Sequence, residues 1–589
     1  FWREVVDRVQ KEVPDTLLLA EAFWMLEGYF VRTLGMHRVY NSAFMHMLKK
    51  EDNTGYRYLI KNTLEFDPEI LKRYVNFMNN PDEDTAIAQF GRGDKYFGVC
   101  MMMITMPGLP MIGHGQVEGF TEKYGMEYAK AYYDEQPDEH LVERHYREIF
   151  PIMKKRPLFA EVRNFFLYDV FSPEGSVNEN IFAYSNRRDN ETALVVFNNS
   201  FERATGWIRT SVGYLREGRV LQSSLGEGLD LGNRENSFVI FRDHASGLEF
   251  IRSLSEIHEK GLLVALEGYK YNVFLDFHTV QPSRFRPYDR LCIELNGSGR
   301  PSIERAALEM SFAPFHRSLV AALEEMPPFN NLTDMQDKAT LQAFAGTVAS
   351  LLDKTALQLG EFVEKPLEVP PGLAERAASL LKKAASAALV LLRQPDSRKF
   401  QTALGLASAD TMDFPRLCLH WIVLEALQEM LAASGALTSN IIDDCLLSEA
   451  LAASYSEKGL LGIRTGNIPD MLACLLSLKP MPADAVPGEV LAAYLERLNG
   501  ENCGHLGKLL LFDERNGRTW FREHPFSVLL AWITLKNLTG MQEAAPGKGK
   551  KKPAVTSATA KEWIDAAGTI EMKAFLAGYE RGEFFGKKI

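Results

Sequence analysis

Four short apolar runs, each followed by a helical stretch, constrain the first 157 residues more than any other feature. They are 17-LLLA-20, 36-MHRVYNSAF-44, 75-VNFM-78 and 109-LPMIGHG-115. Strands this short and apolar are typically buried on both faces, and helices between them supply the crossovers that parallel pairing requires. The pattern predicts a parallel sheet of about four strand–helix units, half of an eight-fold barrel. Helices are expected over 1–13, ended by Pro14, over much of 55–74, over 85–105 with a glycine break, and over 138–155.

From about 178 to 280 the period changes. The segments 180-NIFAYSN-186, 193-ALVVFNN-199, 237-SFVIFR-242, 247-GLEFIRS-253, 262-LLVALEG-268 and 270-KYNVFLDFHTV-280 are closely spaced, with Asn, Gly and Asp between them. That spacing predicts an antiparallel β-sandwich. From about 300 to 540 the chain is Ala- and Leu-rich with helical periodicity, as in 415-PRLCLHWIVLEALQEMLAAS-434. The stretch 544-AAPGKGKKKPAVTSATA-560 has the composition of a linker, and a last helix is expected near 561–582. At 589 residues the chain is too long for one core. The multidomain reading is therefore the second half of a (β/α)8 TIM-type barrel at 1–157, a β-sandwich at 158–283, an all-α domain at 284–540, and a basic linker with a C-terminal helix at 541–589.

The net charge of −11 argues against a broad nucleic-acid surface. No run of uncharged apolar residues reaches membrane-spanning length, so no membrane partner is expected. The nearest stretch, 373–393, carries Glu375, Arg376, Lys382 and Lys383 and reads as an amphipathic soluble helix. The six cysteines form no C-x-x-C pair, which gives no zinc knuckle and no dense disulfide framework. A reducing, cytoplasmic compartment fits, and neither a metal nor a cofactor is expected. The chain opens at Phe1 with no signal-like segment.

Side chains just past the carboxyl ends of parallel barrel strands converge on one mouth. The run 17-LLLA-20 puts Glu21 there, and 75-VNFM-78 with the turn 79-NNPDED-84 puts Asp82 there. Two carboxylates from different strand ends are what glycosidic cleavage uses. One, its pKa raised by an apolar wall, protonates the leaving oxygen; the other stabilises a sugar cation or attacks it. Phe23 and Trp24 would supply the wall and a stacking face. Each motif also has a plain structural reading, as a solvated strand end and as an Asn-Pro-Asp turn; their order along successive strands favours the chemical one.

In that order the residues resemble the second half of the catalytic barrel of the α-amylase superfamily, glycoside hydrolase family 13. The resemblance rests on 20-AEAFW-24 for the acid/base motif at strand five, 78-MNNPDEDTA-86 for the Asn-His-Asp motif after strand seven, and 106-MPGLPMIGHGQVEGF-120 for the run into strand eight. A small β-sandwich follows the barrel in that family, and 178–280 matches its place. The resemblance implies that Glu21 is the general acid/base and Asp82 the transition-state stabiliser. It implies that Asn80 holds the Asp82 loop and that His114 and Gln116 line the floor near strand eight, with an α-glucan or oligosaccharide as substrate. The sequence departs from the pattern at Pro81, where the family has His, at His114, where it has Tyr, and at Val117, where it has Glu; here Glu118 comes one place later.

The family's nucleophile is an Asp on strand four, in a motif of the Gly-Phe-Arg-x-Asp type. Neither it nor strands one to four lies in this sequence. The resemblance thus implies a fragment whose first partner is the missing N-terminal half of the barrel. Two functions stay open: a retaining glycoside hydrolase or transglycosylase, and a catalytically degenerate glucan-binding and protein-interaction scaffold, which Pro81 and Val117 favour. The helical half reads as a docking domain or one that forms homo-oligomers. Within it, Cys503 and His505 are two metal-type ligands where a site needs four, and Trp520 and Phe521 read as core or as a sugar-stacking pair.

Overall fold

The structure, a computed structural model, describes residues 1–589 except 22–25, 126–128, 327–328, 330, 365, 395–397, 407–412, 456–466, 479–485, 502, 511–512, 516–517, 521–522, 542–555 and 582–589. It divides into two compact units, Phe1–Met310 and Ser311–Ile589.

The first unit opens with four parallel strands in sequential order: β1 (Leu19–Ala20), β2 (Arg38–Tyr40), β3 (Tyr74–Phe77) and β4 (Leu109–Met111). All four residues of β3 are buried, as a strand covered on both faces requires. Its one polar member, Asn76, is satisfied inside the sheet. It accepts from Asn41 Nδ2 (2.9 Å) and donates to the Pro107 carbonyl (3.1 Å), so one buried amide ties together the chain beside β2, β3 and β4. The expected strand at 36–44 is shorter. Asn41 takes the Phe44 N–H on its side chain (3.3 Å) and starts the helix Ser42–Lys50, a local cap that overrides the extended reading of 41-NSAF-44. The helix Asp94–Thr105 is buried from Tyr96 onward, the methionine run included. The break before it falls at Gly91, whose φ of 74° suits glycine.

Eight further strands form a curled antiparallel sheet: β5 (Phe166–Phe171), β6 (Ile181–Arg188), β7 (Glu191–Asn198), β8 (Ala204–Ser211), then, past a short ribbon of β9 (Tyr214–Arg216) and β10 (Arg219–Leu221), β11 (Phe238–Asp243), β12 (Glu249–Ser253), β13 (Leu262–Leu266) and β14 (Tyr271–Val280). The order is β12-β11-β14-β7-β6-β5-β8-β13. The sandwich expectation is modified here: the strands make one continuous hydrogen-bonded sheet, bent by register shifts at Ile240/Arg242 and Tyr168/Val170. The curl brings residues of both terminal strands, Phe250 and Ile251 of β12 with Leu262 and Val264 of β13, to one cavity of about 540 Å³. Residues 284–310, expected with the helical domain, pack on this sheet instead. Tyr288, Leu291, Leu295, Ile303 and Ala307 form a core with Phe238, Ile240 and Ile251.

The parallel strands and the curled sheet share one core, within which a Cβ on Gly98 would meet the Phe197 ring of β7 at 2.1 Å. A polar clamp joins them too. Arg57, fully buried on the helix Asn53–Phe66, donates to Glu179 (2.6 Å), Asp169 (2.7 Å) and the carbonyls of Ile181 (3.1 Å) and Tyr168 (3.2 Å).

The second unit is helical, with a two-stranded ribbon, β15 (Asp513–Arg515) and β16 (Arg518–Trp520), that the all-α expectation lacked. Its core is Leu- and Ala-rich; the helix Leu373–Leu392 buries Ala377, Ala384, Ala385 and Ala388. Phe521 and the side chains of Cys503 and Trp520 lie outside the described residues. His505 lies between two carboxylates. Its Nδ1 faces Asp470 (2.6 Å) and its Nε2 faces both oxygens of Asp443 (2.8 and 2.9 Å). With a carboxylate on each nitrogen both must donate, so the ring is an imidazolium. The hydrogen bonds to Asp443 and Asp470 push its pKa up to about 9, against the opposing effect of burial. A folded pKa above the ordinary histidine value of about 6.5 stabilises fully below that value, and the gain disappears as pH rises through about 9. The wild type is therefore expected to lose on the order of 2–3 kcal/mol between pH 6 and 10. A His505→Gln variant should lose much less, in denaturant titrations at the two pH values; equal losses would remove the ion pair from the explanation.

Candidate active site

Because β1 to β4 run parallel, their carboxyl ends open on the same edge of the sheet. Glu21 follows β1 directly. The loop after β3 carries Asp82, and its shape comes from Asn80, whose Oδ1 accepts the N–H of Asp82 (3.0 Å) and of Glu83 (2.9 Å) in a side-chain-capped turn. Lys123, from the loop after β4, donates to the Asp82 carbonyl (2.7 Å).

Glu21 and Asp82 come from strands that are not neighbours, yet Asp82 lies within hydrogen-bonding reach of the Glu21 carboxyl and acts on it. Burial, then the hydrogen bond to Asp82, then the charge of Asp82 all raise the pKa of Glu21. β2 lies between their strands and ends at Tyr40. Its phenol pKa is raised by burial first and then by the charges of Glu21 and Asp82. Tyr40 packs edge-on against Phe77 at 5.6 Å. Sequence reasoning missed Tyr40, although its position was the signal: it ends the strand between the two that carry the carboxylates.

The remaining expected site residues sort by burial. Both carboxylates are exposed, Asn80 is half-buried, and His114 is exposed with its ring 4.1 Å from that of Tyr124. Gln116 is 2% exposed. It accepts from the Gly113 N–H (3.1 Å) and points its amide nitrogen at Met78 Sδ (3.4 Å). It thus fixes the turn carrying His114 and presents no free group to the mouth. Trp24 and Phe23 lie outside the described residues. Among the described residues no group of three or more His, Cys, Asp and Glu is placed to hold a metal ion, and no helix is long and apolar enough to cross a membrane. Chemically the mouth offers two neighbouring carboxyl groups, one of which gives up its proton less readily than an ordinary glutamate, an arrangement that suits proton transfer to a leaving oxygen.

No family model and no curated protein matches the chain. Among solved structures it is similar to the α-amylase of Geobacillus thermoleovorans complexed with acarbose, at TM-score 0.33 and 14% identity over 47% of this chain. It is also similar to a debranching enzyme of Nostoc punctiforme, at TM-score 0.32 and 14% identity over 46% of this chain. A third such structure is a cyclomaltodextrin glucanotransferase, at TM-score 0.32 and 16% identity over 47% of this chain. The chain spans 56%, 53% and 53% of their respective lengths.

Proposed function

We propose that this chain is part of an α-glucan-active retaining glycoside hydrolase or transglycosylase. Glu21 is its general acid/base and Asp82 its transition-state stabiliser, while the nucleophile is a carboxylate on barrel strands outside this sequence. The observation that carries the reading is the approach of two carboxyl groups from the ends of β1 and β3, strands that flank β2, with the pKa of Glu21 raised by burial and by Asp82. In the first step the Glu21 proton passes to the glycosidic oxygen, the C1–O bond breaks, and the nucleophile bonds to C1. In the second, Glu21 takes a proton from the water or sugar hydroxyl that displaces the nucleophile. Asp82 opposes the positive charge that develops at C1. Asn80 keeps Asp82 in place, and His114 faces the sugar.

The test is the stereochemistry of the first product. A protein comprising this chain and the strands that complete its barrel should release the α-anomer from a maltooligosaccharide, read by proton NMR before mutarotation. A β-anomer would overturn the retaining reading. Pro81 and Val117 favour the second reading, a glucan binder without turnover; oligosaccharide binding with no product would decide for it.

A further inference from the structure

The loop after β4 is built in a way the chemistry at Glu21 and Asp82 does not use. Two glutamates staple it. Glu135 accepts from the Thr121 N–H (2.7 Å), the Thr121 hydroxyl (2.6 Å) and the Glu122 N–H (2.7 Å). Glu122 reaches back across the same loop. Its two oxygens accept the N–H groups of Tyr132 (2.8 Å) and Tyr133 (3.0 Å). Glu122 is 6% exposed, whereas Tyr132 is 75% exposed and Tyr133 59% exposed. Burying a carboxylate is unfavourable unless its oxygens are well bonded. Here both are bonded, each to the backbone of a residue whose ring remains in water. Surface loops are ordinarily the most mobile part of a fold; this one has the backbone of two adjacent exposed aromatic residues held by a buried acid.

The position of the loop says what the rings meet. Lys123, next to Glu122, donates to the carbonyl of Asp82. Lys123 thus ties to the Asp82 loop the same segment whose next residue, Glu122, holds the backbone of the two tyrosines. Building on the glucan-active reading, we propose that Tyr132 and Tyr133 are a stacking site for sugar units of an α-glucan chain beyond those at the reacting bond. A phenol ring matches this ligand: its face covers the C–H face of a pyranose, and its hydroxyl meets the rim of sugar hydroxyls. Such a site reads chain length. Short oligosaccharides reach the carboxylates without touching it; longer ones gain contact.

The experiment compares maltotriose with maltoheptaose. In the protein that completes the barrel, Tyr132→Ala and Tyr133→Ala should each raise KM for maltoheptaose about five- to tenfold, with kcat unchanged and KM for maltotriose unchanged. Tyr→Phe variants, which keep the ring face, should retain most of the affinity. Glu122→Gln, which keeps one acceptor oxygen and loses the other, should fall between wild type and the alanine variants. Equal KM changes for both sugars, or a fall in kcat, would mean that the tyrosines merely support the loop, and would overturn the proposal. So would an unchanged KM for maltoheptaose. The result is separable from the catalytic reading. If the completed protein does not turn over glucan, calorimetric titration of this chain with the two sugars decides, and loss of any preference for maltoheptaose in the alanine variants is the supporting outcome. Absence of such a preference in the wild type overturns it.

Discussion

Glu21→Gln is expected to lower kcat on an unactivated α-glucan by about 100- to 10,000-fold in the protein that completes the barrel. Gln has the shape of Glu and no carboxyl proton. Glu21 is exposed and supports no core, so the variant should fold and unfold like the wild type. What it loses is the acid that protonates the leaving oxygen. An aryl glycoside whose phenolate departs unprotonated should feel the substitution far less in the first step. That contrast separates loss of an acid from general damage. A companion measurement needs only this chain. Burial and Asp82 together raise the Glu21 pKa; Asp82→Asn removes the neighbouring charge, and Glu21 should then titrate at lower pH, read from its side-chain carboxyl carbon by NMR. Wild-type turnover of glucan by Glu21→Gln, or a Glu21 titration indifferent to Asp82→Asn, would remove the proton from the site.

What the sequence could reveal depended on how local the cause was. β1, β3 and β4 fall where short apolar runs predicted them, because burial on both faces leaves an unbroken apolar signature. The segment 41-NSAF-44 did not behave so, since a single side-chain hydrogen bond from Asn41 outweighs its extended composition. β5 and β8 were missed: 204-ATGWIRTS-211 carries polar residues through a strand whose place comes from pairing with β5 and β13, and pairing leaves no mark in one segment alone. The continuity of the sheet was illegible for the same reason. In the site, the loop-holding role of Asn80 was available from the family resemblance, and the bond that performs it is local, from the Asp82 N–H to the Asn80 side chain two residues before. The burial of Gln116 was not, because Met78 lies 38 positions away. Tyr40 became visible only once β2 was known to lie between β1 and β3.

The largest stability effect in the first unit is expected at Arg57. Its guanidinium is fully buried and bonds two carboxylates and two carbonyls at once, and Lys61 adds a second cation to Asp169 at 2.8 Å. Removing one partner of a buried ion pair costs about 3–5 kcal/mol, because the groups left behind keep their desolvation without their bonds. Arg57→Ala should therefore destabilise the first unit by about that amount in urea titrations. Arg57→Lys should recover only part of it, since an ammonium cannot reach acceptors spread over β5, β6 and the turn before β6 as a planar fork does. The decisive variant is Arg57→Met with Asp169→Asn and Glu179→Gln. If the loss comes from stranded charges, neutralising both should make the triple variant more stable than Arg57→Met alone, although it lacks three native side chains. A triple variant less stable than the single one would mean that the clamp acts through geometry, by fixing how the helix Asn53–Phe66 meets the curled sheet. That helix precedes the strand from which Asp82 emerges, so in that case the Arg57 variants should also weaken the coupling of Glu21 to Asp82 in the NMR titration, and a pure charge effect would leave that coupling intact.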